Sequence, residues 1–343
     1  MVKKVLILEN QKTLDEIIIS GSYWFRIEMA YGLKELGFEP YLIQHPSYKH
    51  FPWINSERFS NQKSTKNIME LLTDYDLVIL LDDIPLKDRI SANKTTIIYW
   101  DIEGFPNSEK FFEQISNQIN DQDYQYYGAK FNSAKSVLER YYYHFKKQKL
   151  QYWNVDAKFS AAKNPLIKDS KYIPLGAEPD LYKDKNLVKR DISLAIYGST
   201  ARWFQAKERL EIGAKMLEKL KYPITYWYGA MPEIESKNMV KNCYPMGHVD
   251  FYSLPNFLMR TKKVIHVPRP YHLQSKCQSV TIYQSAAAGA IPIHHFKGNL
   301  DANRIGYYYE DIDDIESLKG KEFPDNFSYK ARFAEMIGKI GEI

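Results

Sequence analysis

The sequence predicts an α/β protein made of two doubly wound, parallel-sheet domains facing each other across a cleft. Three observations carry this expectation. Short continuous apolar runs at residues 5–8, 76–81, 95–100, 191–197 and 224–228 have the length and residue types of strands buried on both faces. Segments with helical spacing of apolar residues lie between them. The strand–helix alternation then starts afresh near residue 190, and 343 residues suit about two domains at ~150 residues each.

Taken in order, residues 2–8 form the first strand. Residues 23–36 (YWFRIEMAYGLKEL) form a helix that stops at Gly37, a C-cap, and FEPYLIQH follows as a second strand. DLVILL (76–81) is a third strand ending on Asp82 and Asp83, and TTIIYW (95–100) is another ending on Asp101. Residues 108–150 read as helical and aromatic with a basic end. The turn-rich KYIPLGAEPD (171–180) leads into a junction placed between Pro174 and Arg190. DISLAIY (191–197) opens the second domain, with Gly198-Ser199-Thr200 behind it and a helix over 204–219. ITYWY (224–228) is a strand ending at Gly229, and 264–267 is another. A helix over 278–289 ends in AAAGA, and Ile291-Pro292-Ile293 begins a further strand. The expected domains are residues 1–180 and 190–325, with a helix in 326–343 that is free to cross back onto the first domain.

Composition excludes several classes. Two cysteines, Cys243 and Cys277, cannot make a disulfide framework, so a reducing cytoplasm is expected. The start, MVKKVLILEN, has too short an apolar run for a secretory signal. No window approaches ~18 apolar residues, so no membrane span is expected. A net charge of +5 is a mild basic bias that suits a polyanionic partner without requiring one. Neither G-x-G-x-x-G nor a Walker loop occurs, nor a G-x-S-x-G elbow. The histidines lack metal-ligand spacing; His294 and His295 are adjacent and would point to opposite faces of a strand. No metal site is expected.

Polar residues at the carboxyl ends of such strands sit where open α/β sheets place their ligands. Gly21 and Ser22, in the loop after the first strand, suit an anion or a sugar hydroxyl at a helix N-terminus; an ordinary turn is the plainer reading. Asp101, with Glu103 close by, is a candidate general base at the end of a buried strand, or else a loop or N-cap carboxylate. Gly198, Ser199, Arg202 and Arg209 form a strand, small-residue turn and cations, a cradle for a diphosphate or a turn before a solvated helix. Thr281 and Gln284, three apart, share a helical face that reaches a nucleotide, while the small residues after them permit close packing. Lys135, Arg140, Lys146 and Lys147 are interleaved with Tyr141, Tyr142 and Tyr143. This pattern suits a phosphate backbone and unstacked bases, or the solvated side of an amphipathic helix.

In this order the pieces resemble the two-Rossmann-domain glycosyltransferases called GT-B. More narrowly, they resemble the DNA β-glucosyltransferases of T-even bacteriophages, and more distantly the CgeB-like glycosyltransferases. The resemblance rests on Tyr75-Asp76-Leu77-Val78-Ile79, on Ile98-Tyr99-Trp100-Asp101-Ile102 with Phe105-Pro106, and on 191–199 with Arg202 and Arg209. It rests also on 224–229 with Gly247-His248-Val249, and on Thr281-Ile282-Tyr283-Gln284 through Ala288-Gly289-Ala290. It implies an inverting transfer from a nucleotide sugar, with UDP-glucose or a related UDP-sugar as donor, to the hydroxyl of a hydroxymethylated pyrimidine in double-stranded DNA. Asp101 would be the base. Gly21, Ser22, Gly198, Ser199, Arg202, Arg209, Gly229, His248, Val249, Thr281 and Gln284 would hold the donor. Glu103, Lys135, Arg140, Lys146 and Lys147 would face the acceptor DNA. A divalent ion (Mg or Mn) is compatible but not indicated. The protein would be a monomer in the cytoplasm, the host's if it is phage-encoded. Relatives usually carry Arg where this chain has Thr281 and Glu where it has Gln284; either Lys276, Arg269 or Arg202 supplies the missing charge, or the donor differs. Two other readings stand beside this one: a CgeB-like transferase acting on a surface glycan or protein, and a degenerate chain that only binds nucleotide or DNA.

Overall fold

The computed structural model describes residues 3–8, 24–43, 51, 53–57, 73–81, 95–106, 108–120, 155–167, 169–198, 206–222, 225–229, 243–247, 249–250 and 252–341. The first sheet contains β1 (Lys4–Leu8), β2 (Glu39–Ile43), β3 (Asn55–Glu57), β4 (Leu77–Leu80), β5 (Thr96–Asp101), β6 (Ala157–Ser160) and β7 (Lys171–Tyr172). Its order is β3-β2-β1-β4-β5-β6-β7, all parallel. The second contains β8 (Ile192–Tyr197), β9 (Thr225–Tyr228), β10 (Cys243–Gly247), β11 (Thr261–His266), β12 (Ile291–His294) and β13 (Tyr307–Tyr308). These run parallel in the order β10-β9-β8-β11-β12-β13. The helices are α1 (Trp24–Glu35), α2 (Glu109–Asn120), α3 (Ala206–Leu220), α4 (Leu254–Arg260), α5 (Pro270–Ser275), α6 (Val280–Ala287), α7 (Asp301–Ile305) and α8 (Tyr329–Ile340). Two doubly wound, Rossmann-like units facing one another are the GT-B architecture.

The apolar runs became strands because both faces of the first sheet are covered, so at least four consecutive residues of β1, β4 and β5 are buried, alternating between two apolar clusters. Five short strands were not anticipated. β3, β6, β7, β10 and β13 have few apolar residues and gain their conformation by pairing with a neighbour already in place. β11 begins three residues before its apolar run, because Lys263 is covered and ion-paired to Glu316 at 2.7 Å. The helix expected over 328–343 is α8, capped by Ser328, whose hydroxyl accepts from the Ala331 N–H. It crosses back to the first sheet. Tyr329 and Phe333 lie edge-on to Trp100 of β5, with centroids 6.1 and 5.9 Å away. All three rings are essentially buried, each worth roughly 1.5–3 kcal/mol relative to exposure.

The two halves are joined at a buried carboxyl group. Glu28, in the middle of α1, has no exposed surface. Its Oε1 accepts from the Tyr182 hydroxyl at 3.0 Å and the Glu178 N–H at 3.2 Å, both in the connecting 3-10 helix region around Pro179–Asn186. Its Oε2 accepts from Gln284 Nε2 of α6 at 2.6 Å. Glu178 in turn accepts from the Lys330 N–H at the start of α8. Burial pushes Glu28 up to about 8, against the opposing effect of these hydrogen bonds, and burial likewise raises Glu178 to about 7. A carboxyl raised from its ordinary 4.5 favours the folded state while it carries its proton. That contribution is complete below pH 4.5 and is lost as the pH rises through about 8. Denaturant melts across pH 4.5 to 8 are therefore expected to show stability falling with pH. Glu28→Gln should fall less steeply, the remaining slope belonging to Glu178; an unchanged slope would place the titrating group elsewhere.

Candidate active site

Asp101 ends β5, and the sheet register sets it beside Ser160 of β6. Its Oδ1 accepts from the Gly104 N–H at 2.8 Å and its Oδ2 from the Ser160 hydroxyl at 3.0 Å. Only 3% of the residue is exposed. The carboxylate is thus more enclosed than a cleft-facing position implies: it organises the turn that follows it. Gly104 has φ +61, and a Cβ there would lie 2.5 Å from the Cβ of Cys277. The loop after β5 is pressed directly onto the second half of the chain. Burial, then Asp101 and Glu103, push the Cys277 thiol well above its usual range, so it is not a nucleophile here.

Opposite lies a cluster of cations. The strand order of the second sheet reverses between β8 and β11, and ligands of such sheets bind beyond that switch point. Gly198 ends β8 with φ +145, and a Cβ on it would meet Arg209 Nη2 at 2.5 Å. Arg209, on α3, donates from Nε to the Val267 carbonyl at 2.8 Å. Burial and then the neighbouring Arg269 push its guanidinium down. Arg269 donates from Nη1 to Glu103 Oε2 at 2.7 Å and is bonded to the Tyr271 hydroxyl, which also reaches Glu103. Burial opposes the charge on Arg269, but Tyr271 and Glu103 outweigh it and the net shift is upward. Burial and Arg269 bring the His272 ring down to about 3, so it is neutral. Two neighbouring half-buried guanidiniums beside the glycine that follows β8 can hold the oxygens of a di-anion.

Other expected site residues are placed differently. Gln284 is fully buried and its side chain donates to Glu28, because this face of α6 turns toward α1. Val249 belongs to the apolar core. Gly229 ties β9 to β10 by donating to the Gly247 carbonyl at 2.7 Å. Thr281 is bonded to His266 Nδ1 at 3.0 Å and to Ser279 at 2.9 Å. The other His266 nitrogen meets Ser285, and burial holds this ring neutral at about 3. Gly21, Ser22, Ser199, Arg202, His248, Lys135, Arg140, Lys146 and Lys147 lie outside the described residues. Among the described residues no cluster of metal-ligating side chains occurs, and no helix is long and apolar enough to cross a membrane. Glu28 and Tyr271 were not anticipated; for Tyr271 the signal was the run Pro268-Arg269-Pro270-Tyr271 directly after a buried strand.

The fold is that of solved GT-B glycosyltransferases. The chain is similar to an alpha-glucosyltransferase in complex with UDP-glucose and DNA containing an abasic site (12% identity, 100% of each chain covered, TM-score 0.61). It is similar also to AviGT4, a glycosyltransferase involved in avilamycin A biosynthesis (14% identity, 98% of this chain and 97% of that one, TM-score 0.56). The same alpha-glucosyltransferase with UDP and a 13-mer DNA containing an HMU base matches over 100% of this chain and 91% of that one, at 12% identity and TM-score 0.53. These DNA-bound neighbours are alpha-glucosyltransferases, whereas the sequence motifs resemble the β-glucosyltransferases. No protein-family model matches the chain, and no curated protein does.

Gly104→Ala should destabilise the protein by about 1–3 kcal/mol, since it combines a left-handed backbone with a clash against Cys277. Chemical denaturation measures this; an unchanged midpoint would mean that the loop does not rest on Cys277.

Proposed function

We infer that this protein is a glycosyltransferase that moves a sugar from a UDP-sugar to the hydroxyl of a hydroxymethylated pyrimidine in double-stranded DNA. One observation carries the reading: the carboxylates of Asp101 and Glu103 at the end of β5 stand across the domain junction from Arg209, Arg269 and Gly198. That is an acid–base pole facing an anion pole, the arrangement that displacement of a nucleoside diphosphate requires. Solved proteins of the same fold bound to UDP-glucose and to DNA support the donor and the acceptor.

In this mechanism Asp101 accepts the proton of the acceptor hydroxyl as its oxygen attacks the anomeric carbon. The bond from that carbon to the diphosphate breaks, and the electron pair leaves with UDP. Arg209 and Arg269 stabilise the charge that develops there. Domain contact excludes the water that would otherwise hydrolyse the donor. Direct displacement inverts the anomeric centre, so an α-linked UDP-sugar gives a β-linked product.

The test pairs a panel of nucleotide sugars with duplex DNA containing 5-hydroxymethylcytosine, 5-hydroxymethyluracil or neither, followed by mass spectrometry of the nucleosides. A sugar-sized gain on the hydroxymethyl base alone is expected. Nucleotide-sugar binding without any gain would move the acceptor to a glycan or small molecule, the class that the likeness to AviGT4 favours. An α-linked product would assign a retaining route instead. Asp101→Asn should lower turnover by roughly 10²–10⁴-fold with UDP affinity nearly unchanged. Arg209→Met should weaken UDP binding by about tenfold or more in calorimetry, because a charged hydrogen-bond donor to phosphate is lost.

A further inference from the structure

We propose that Ser160 is the positioning residue of the base: its hydroxyl, turned toward Asp101 by the Ala162 N–H, orients the Asp101 carboxylate and holds it in its proton-accepting form. This role rests on Asp101 being the base, as inferred above, and adds a second residue to the acceptor side of the site.

The sheet puts the two side chains together. Asp101 and Ser160 are paired in the parallel ladder of β5 and β6, and residues paired in that way project from the same face. The backbone of Ser160 is held on both sides. The Ala161 N–H donates to the Asp101 carbonyl at 2.8 Å, and the Ile173 N–H donates to the Ser160 carbonyl at 2.9 Å. Ser160 is fully buried. Its hydroxyl is therefore carried by a fixed backbone rather than by a mobile loop.

The direction of the hydroxyl is also set. The Ala162 N–H donates to Ser160 Oγ at 3.1 Å, which occupies the oxygen as an acceptor and leaves its single proton to be given to Asp101 Oδ2 at 3.0 Å. With the Gly104 N–H on Oδ1 at 2.8 Å, each carboxylate oxygen has a donor, and the plane of the group is fixed. Burial disfavours the charge on a carboxylate, and a hydrogen bond donated to the charged form restores it. The segment that orients Ser160 is seated on the second half of the chain. Ala162 forms an antiparallel bridge with Cys277, and the Asn164 N–H donates to the Ser275 carbonyl at 2.9 Å. Ser160 acts through Asp101 and is assigned no contact with either substrate.

The test is the pH dependence of kcat/KM for Ser160→Ala, with a donor and acceptor that give product with the wild type. Its acidic limb should lie about one to two pH units above that of the wild type, because a hydrogen bond to a charged group is lost. UDP affinity should be unchanged, and the rate at high pH should stay within about tenfold of the wild type. A purely structural role for Ser160 lowers the rate equally at every pH and leaves the limb in place; that result overturns the assignment. Ser160→Cys keeps a weak donor of similar size, so it should shift the limb less in the same direction. It carries the test if the alanine variant does not fold. A second readout needs no turnover. Carbon-13 NMR of aspartate-labelled protein follows the Asp101 carboxyl, assigned by its loss in Asp101→Asn, and its midpoint should rise in Ser160→Ala. An unmoved midpoint overturns the role of Ser160 even where transfer is observed. A raised midpoint in a protein that transfers no sugar keeps the pairing of Ser160 with Asp101 and removes the glycosyltransferase reading instead.

Discussion

Glu28 sits where the long-range geometry of the molecule is set. Its carboxyl group contacts the connecting 3-10 helix and α6 directly, and through Glu178 it is linked to the start of α8. A charged carboxylate in that position would lack the solvation it needs, which is why burial drives it to hold a proton near neutrality. Held in that form, it accepts from three donors belonging to elements far apart in the chain. The orientation of one sheet against the other follows, because α6 lies on the second sheet and α1 on the first. Apolar packing continues through the same region: Ile27, Ala286, Tyr283 and Tyr329 belong to one core that does not stop at the boundary between the sheets. Such a joint is specific in a way that apolar packing alone is not, since each donor must arrive at its own oxygen.

The candidate site depends on this joint. Glu103 and Arg269 are 166 residues apart and belong to different sheets; only the fixed approach of the two halves brings them within 2.7 Å. The chemistry lies in the asymmetry of that meeting. Carboxylates end β5, and guanidiniums gather at the switch point of the second sheet. Burial beside a like charge pushes the Arg209 guanidinium down, while Tyr271 and Glu103 keep Arg269 charged. Gly198, directly after β8, has no Cβ and so leaves room for the Arg209 guanidinium, an arrangement that suits the proposed anion site. Gln284 shows the opposite case. It lies on a helical face that the spacing of Thr281 and Gln284 assigns to a nucleotide, yet its side chain serves the interdomain joint.

Much of this was legible in residue order. Apolar runs of four to six residues, such as Leu77–Leu80 and Ile192–Tyr197, bury both faces only in a covered parallel sheet, so the sequence determined the fold class. Asp101 and Gly198 were legible for the same reason: they stand immediately after such runs, where the sheet ends and the backbone turns. The helical spacing of residues 329–340 determined α8 as a helix. Other features were decided only by tertiary structure. β6 and β7 are too short and polar to declare themselves, and exist because β5 supplies a partner. Tyr271 looked like a loop residue until Glu103 arrived opposite it, and Arg269 like one of three cations that could replace a missing charge. Glu28 looked like an ordinary charged residue on a helix, and Gln284, 256 residues away, like a nucleotide ligand. Local sequence encodes which face of an element is apolar; it does not encode which polar group will be opposite once water is excluded, and that exclusion sets both the protonation of Glu28 and the pairing of Glu103 with Arg269.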